Sequence, residues 1–207
     1  GNRFIPPMAS VVSTTPCFPI FKKDGKRTDI RIVGNYVQIN SVTRLDKFPS
    51  PVVADTVDKL FQSKFIGTFD LKSGFNQCLK SRLSTLMTVW ITQNLLVATV
   101  GLDLGLKNSG PFFMRTMNEI YGSAENITSH VDDLYAHANT FRDFFMAVAE
   151  LLSRSEINNV YLKIQKIQLA PKCLKGLGHI YENGGYRPDP ERISPILGLV
   201  PARTVKQ

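Results

Sequence analysis

No stretch of this 207-residue chain approaches the ~20 consecutive apolar residues that a membrane-crossing helix needs. The N-terminal residues also lack the apolar core of a secretory signal. These two absences exclude a helical membrane span and argue against export. Cysteine is scarce as well. Cys17, Cys78 and Cys173 are odd in number, far apart and without the spacing of a zinc site. They are expected as reduced thiols in an intracellular, cytoplasmic protein, and the sequon Asn126-Ile127-Thr128 is read as fortuitous. Internal repeats and low-complexity tracts are missing too. Acidic residues are in deficit, 17 against 25 Lys and Arg, for a net charge of +8 and a pI of about 9.5. That balance favours a polyanionic partner such as nucleic acid or an acidic membrane surface. With 43% hydrophobic residues the chain can bury the core of one large domain or two small lobes. It begins at Gly1 and stops in "LVPARTVKQ", so it reads as a piece of something longer.

What is present begins with "TSHVDDLYAHA", residues 128–138, where two adjacent carboxylates interrupt a β-leaning apolar run. Asp132 and Asp133 would repel each other in a strand unless solvent or a cation relieves them. Upstream, "STTPCFPIF" and "IRIVGNYVQI" read as two strands joined by the turn "KKDGKRTD". That turn carries Lys22, Lys23, Lys26 and Arg27, with Arg31 early in the second strand. In "SPVVADTVDKLFQ", Ser50 can cap and Pro51 can start a helix that buries Val53, Val57, Leu60 and Phe61. "KFIGTFDLKSGF" reads as a strand running out at Asp70 into a Gly-containing turn.

Pro111 is expected to start a helix with the apolar stripe Phe113, Met117, Ile120 and Tyr121, ended by Gly122. Thr140 caps another, with Phe141, Phe144, Phe145, Val148, Leu151 and Leu152 on its inner side. "NVYLKIQKIQL" is expected to be extended, and "LGHIYENGGYRPDP" to be a hairpin turning at Asn183-Gly184. Helices interleaved with hairpins predict an α+β fold, an antiparallel sheet with helices packed on one face.

Carboxylates held close cannot all stay ionised unless cations neutralise them. Hard oxygen donors suit Mg²⁺, which keeps waters and takes substrate phosphates as its remaining ligands. An isolated Asp-Asp pair is ordinarily an exposed turn, and Asp70 alone would pass for a helix cap. The flanking words change that reading. Taken in order, "FKKDGKRTDIRIVGNYVQIN", "FDLKSGFNQ", "LGLKNSGPFFMRTMNEI", "HVDD", "GLGHI" and "GYRPDPERI" resemble the reverse transcriptase domain of long-terminal-repeat retroelements, closest to the gypsy-like retrotransposons. The resemblance runs over roughly residues 10–193.

It implies a right-hand polymerase fold of fingers and palm. Residues 1–44 and 78–109 would be fingers, 45–77 and 110–193 palm, and 194–207 the start of the thumb. It implies an RNA-directed DNA polymerase using two Mg²⁺ ions (Mn²⁺ as the alternative), held by Asp70, Asp132 and Asp133 as catalytic and metal-binding residues. Lys22 and Arg31 would grip the incoming triphosphate, and Phe75 would lie under its sugar. Leu177, Gly178 and His179 would form the primer grip. The implied partners are an RNA or DNA template with its primer, deoxynucleoside triphosphates, and the thumb, connection and RNase H regions of a Pol polyprotein, with no membrane. The implied setting is the cytoplasm or a virus-like particle. Lys163 and Lys166 sit on a stretch read either as solvated or as facing the phosphate backbone.

Three departures from the family pattern carry expectations of their own. His130 stands where the Tyr-x-Asp-Asp box has its aromatic residue, and acidic neighbours should favour its protonated form. Asp103-Leu104-Gly105 replaces Pro-Phe-Gly and would place a negative charge near nucleotide and template. "TVWITQNLLVATVG" lacks the Gly and aromatic residues expected between fingers and palm. Beside the polymerase, the sequence leaves open a non-catalytic nucleic-acid-binding descendant of the same fold. A nucleotide cyclase with a palm-like sheet would also use paired carboxylates, but it would lack the basic hairpin and the Leu-Gly-His turn.

Overall fold

The computed structural model describes residues 3–21, 30–182 and 185–198. The first half of the chain carries β1 (Arg3–Phe4), β2 (Thr14–Phe21), β3 (Ile30–Gly34), α1 (Val37–Val42), α2 (Val53–Phe61), β4 (Phe65–Asp70), α3 (Gly74–Gln77), α4 (Arg82–Met87), β5 (Val89–Ile91) and β6 (Leu96–Thr99). The second half carries α5 (Ser109–Tyr121), β7 (Ile127–His130), β8 (Asp133–Ala138), α6 (Phe141–Ile157), β9 (Gln168–Leu169), β10 (Cys173–Gly176), β11 (His179–Glu182), β12 (Gly185–Pro188) and α7 (Pro190–Leu197). They build a five-stranded sheet (β1-β6-β5-β2-β3), a four-stranded sheet (β7-β8-β4-β9) and a three-stranded sheet (β10-β11-β12).

The four-stranded sheet is antiparallel throughout and sits at the centre of the molecule. Strand alternation divides its side chains. Phe69, Leu134, Ala136 and Ala138 point to the face covered by α5 and α6, where they join Phe113, Met117, Tyr121, Phe144, Ala147 and Leu151 in the main core. Gly67 is glycine because α6 comes close: a Cβ there would sit 3.1 Å from the Phe144 ring. The opposite face carries Ile66, Tyr135 and the ends of Asp70 and Asp133. It is covered at one end by Leu60 of α2 and by Leu174 and Tyr181 of the three-stranded sheet.

Several local expectations need correction. The second strand stops at Gly34, and of the expected β-residues "YVQI" Tyr36 precedes and the other three open α1, helped by Asn35 Oδ1 accepting from the Val37 amide at 3.3 Å. Helix α2 starts at Val53, not Pro51, and has no side-chain cap; Val53 and Phe61 stay exposed while Thr56 is buried with Val57 and Leu60. Helix α5 starts at Ser109, two residues ahead of Pro111. Thr140 caps α6 as expected, accepting from the Asp143 amide at 3.1 Å. Its buried line is Phe144, Ala147, Leu151 and Ser155, at helical spacing, so Phe141, Phe145 and Leu152 fall on flanks open to solvent. "NVYLKIQKIQL" is broken by a 3₁₀ turn at Ile164–Lys166. The turn at Asn183-Gly184 lies outside the described residues, although β11 and β12 pair on either side of it. The three cysteines are free.

Candidate active site

Asp70 ends β4 and Asp133 begins β8, and the two are direct cross-strand partners. His130 pairs with Asp133 from the other side, so His130, Asp133 and Asp70 form one row across the open end of the sheet. Asp132 occupies the second position of the two-residue turn between β7 and β8 and is exposed; its carbonyl accepts from the Leu71 amide at 3.2 Å, tying the turn to the end of β4. Val131, the first turn residue, has φ +55°. A β-branched residue in that left-handed conformation stores strain of about 1–3 kcal/mol, and only the surrounding structure can hold it there. Sequence order thus gathers three acids at one sheet end because a strand terminus, a strand start and a tight turn coincide.

The electrostatics follow from this crowding. Burial, then the charges of Asp132 and Asp70, push the Asp133 carboxyl above the usual carboxylate range. Burial acts on Asp70 in the same direction, but hydrogen bonds and charge from Lys166 and Lys163 outweigh it and hold Asp70 low. Lys166 Nζ lies 2.7 Å and Lys163 Nζ 3.1 Å from Asp70 Oδ2. The two lysines read as solvated or phosphate-facing are partly exposed, and their ammonium ends pair with Asp70. His130 also departs from expectation. Burial lowers its pKa, and the charge of Asp132 only partly offsets this, so the neutral ring is favoured. Its Nδ1 lies 3.5 Å from Thr56 Oγ1 of α2.

Phe75 leaves the turn after Asp70 half-buried, stacked on Phe113 with ring centres 4.5 Å apart. Gln77 secures that turn, donating to the carbonyls of Lys72 (2.8 Å) and Tyr161 (2.9 Å). The β10–β11 hairpin turns at Leu177-Gly178, both with positive φ (+52° and +79°), and Leu177 packs against the cluster of Leu60, Ile66, Tyr135 and Tyr181. Tyr135 lies two residues beyond Asp133 on the same sheet face. A Cβ on Gly176 would approach its hydroxyl to 3.3 Å, so the hairpin is seated on that face. His179 Nδ1 is 3.1 Å from the Leu177 carbonyl, across the turn. Lys22 lies outside the described residues. Arg31 is on β3 with its backbone opposite Ile20, and its side chain is also outside them.

Asp103 does not charge a pocket. It is buried and paired at 2.5 Å with Lys80, itself buried, and it accepts from Thr99 Oγ1 at 2.8 Å. Lys80 also donates to Thr88 and Thr99, and Tyr36, which receives the Trp90 indole N–H at 2.6 Å, lies close enough to feel the Asp103 charge. Nothing local in the sequence marks this network. The word "LKNSGP" proves to be a junction: Asn40 bonds the Gly105 carbonyl and the Lys107 amide, and Asn108 bonds the Arg44 carbonyl and the Asp46 amide.

As donors, three carboxylates suit a hard divalent cation. They are not gathered as a ready cage: among the described residues no trio of His, Cys, Asp or Glu side chains is close enough to hold a metal. By its chemistry the donor set suits such an ion, and in this arrangement Lys163 and Lys166 occupy Asp70.

Residues 20–181 match the family described as reverse transcriptase (RNA-dependent DNA polymerase). The chain belongs to that family. Over 169 residues this reverse transcriptase chain is 25% identical to the retrovirus-related Pol polyprotein from transposon 297 of Drosophila melanogaster, covering 81% of this chain and 16% of that polyprotein. It is 28% identical over 169 residues to Polyprotein P3 of Commelina yellow mottle virus, covering 81% of this chain and 9% of that one. Among solved structures, the foamy viral protease-reverse transcriptase in complex with double-stranded DNA superposes with a TM-score of 0.86 at 20% identity, over 99% of this chain and 35% of the other, a likeness of fold. The reverse transcriptase chain thus spans a small part of the polyproteins it matches. Reverse transcriptases as a family use divalent metal ions. Among the described residues no helix is long and apolar enough to cross a membrane.

Proposed function

We propose that this domain extends the 3′-hydroxyl of a primer with deoxynucleotides, directed by an RNA or DNA template. The observation that carries the reading is the cross-strand pair Asp70–Asp133 at the open end of the central sheet, with Asp132 in the turn beside it. Asp70, Asp132 and Asp133 would hold two Mg²⁺ ions, with Mn²⁺ as the alternative. Such ions lower the pKa of an attacking hydroxyl and neutralise a leaving pyrophosphate. The protein contributes position and shape. Phe75, braced by Phe113 and half-buried, offers a flat ring for the nucleotide sugar. The Leu177-Gly178-His179 turn, seated over Tyr135, holds the primer end towards the acids. Lys22 and Arg31 grip the triphosphate.

In this reading residues 1–44 and 78–109 form the fingers, which supply the five-stranded sheet, and residues 45–77 and 110–193 form the palm. The thumb begins at 194–207, and the remaining regions of a Pol polyprotein complete the enzyme. The test is primer extension on an RNA template with Mg²⁺, by a protein carried on through the thumb. Asp132→Asn should abolish extension and leave the urea midpoint unchanged, because an exposed acid adds little to the core. Full extension by that variant would remove the reading.

A further inference from the structure

The question raised by three adjacent acids, whether solvent or a cation relieves them, has an answer within the chain. Lys163 reaches both oxygens of Asp70, at 3.2 and 3.1 Å, and Lys166 reaches Oδ2 at 2.7 Å. Both are rooted in a segment stitched alongside the end of β4. The Lys163 amide donates to the Asp70 carbonyl (2.8 Å), the Lys72 amide to the Tyr161 carbonyl (2.9 Å), and Leu71 bridges Leu162. The 3₁₀ turn, closed by the Lys166 amide on the Lys163 carbonyl at 3.0 Å, brings two lysines three residues apart onto one side. An extended strand would also have sent them to opposite faces, since an odd spacing reverses the side.

We propose that Lys163 and Lys166 are exchangeable counter-cations of the catalytic acids, which occupy Asp70 until a divalent metal displaces them and so raise the metal concentration needed to load the site. The inference rests on Asp70 being a metal ligand. The backbone of the segment is pinned, but the side chains are not: Lys166 is 63% and Lys163 36% exposed. Their ammonium ends can therefore swing into water without disturbing the core. Asp70 cannot keep both partners, because the oxygens that would bind a metal are those the lysines hold, and cations sharing a carboxylate repel one another. Two partly exposed ion pairs of this kind are each weak, so the barrier is one that millimolar metal can overcome.

The experiment is a Mn²⁺ titration of the 207-residue chain, following the paramagnetic resonance of the free ion. Lys163→Met/Lys166→Met should bind Mn²⁺ about three- to tenfold more tightly than wild type, as expected for release of two exposed pairs. Lys47→Met/Lys172→Met changes net charge equally at exposed sites that do not act on Asp70 or Asp133 and should shift binding less than about twofold, since such charges are screened. Lys163→Arg/Lys166→Arg keeps the competing charge and should retain wild-type affinity. Asp70→Asn should lose the tight binding of the Met variant. Asp70-dependent Mn²⁺ binding that the Met pair leaves no tighter than the control pair would overturn the proposal alone. Absence of any Asp70-dependent binding, in wild type and Met variant alike, would instead overturn the reading of the acids as a metal site.

Discussion

Phe75 touches two environments, with one face stacked on Phe113 and the ring only half-buried, five residues after Asp70. A ribose 2′-hydroxyl against that ring would clash or lose its hydrogen-bond partner, at about 1–3 kcal/mol, or roughly 5- to 150-fold. Phe75→Val should therefore incorporate ribonucleotides more readily while deoxynucleotide use falls modestly, measured by paired kcat/KM values; unaltered sugar choice would leave the ring a packing group only. Tyr181 makes the opposite case. Its hydroxyl is buried with no hydrogen-bond partner among the described residues, and burial pushes its pKa to about 12. Tyr181→Phe should raise stability by about 1 kcal/mol, read as a higher urea midpoint, since an unsatisfied buried polar group is removed. His137, buried between Ser63 (3.1 Å) and Thr128 (3.0 Å), has a pKa lowered by burial and then by Lys59. The unfolded chain therefore binds the proton first as pH falls. His137 supports the fold fully above about pH 6.5 and loses that support below it, by at most about 1.4 kcal/mol per pH unit. His137→Gln should flatten the fall in stability between pH 7 and 5; an unchanged slope would deny His137 that part.

At the scale of elements, the buried pair Lys80–Asp103 joins the segment between α3 and α4 to the loop after β6, with Thr88 and Thr99 completing its hydrogen bonds. Removing one partner strands the other, so Lys80→Met should cost about 3–5 kcal/mol, and Lys80→Met/Asp103→Leu should recover most of it in urea unfolding. Equal losses in single and double variants would contradict the coupling. This pair also shows where sequence reading ends. Strand β4 with its terminal acid was legible because the apolar run and the Gly turn are local signals. The α5 stripe of Phe113, Met117 and Tyr121 was legible because its spacing is that of a buried helix face. Asp103 was misread because its partner lies 23 residues away, with nothing nearby to announce burial of a lysine. The segment that carries Lys163 and Lys166 was misread as extended because apolar residues interleaved with polar ones imitate a strand, whereas tertiary bonds to β4 impose a 3₁₀ turn. The acid triad was named from words around it, not from spacing alone.

For the molecule as a whole, the +8 charge predicts binding to nucleic acid that weakens steeply with salt. Each phosphate contact contributes about 0.9 to the slope of log K against log salt on duplex DNA, so three or more contacts should give a slope steeper than about −2.7. Binding that is flat between 50 and 200 mM salt would assign the charge to solubility. The path of the chain carries a further consequence. Arg3 pairs with Thr99, and Thr14 with Val89 in a parallel register, while β4 and the first acid lie between them in sequence. Closing a loop of nearly 100 residues costs about 4 kcal/mol of chain entropy before any of its contacts form. Completion of the five-stranded sheet is thus a late event in folding, governed by distant contacts, while the β7–β8 hairpin and α6 can form from sequence close at hand. During synthesis, β2 must wait for some 70 further residues before β5 arrives, leaving one edge unpaired for seconds at ordinary rates of translation. A nascent chain of this topology holds out an open strand while the strand that ends in Asp70 is still being made.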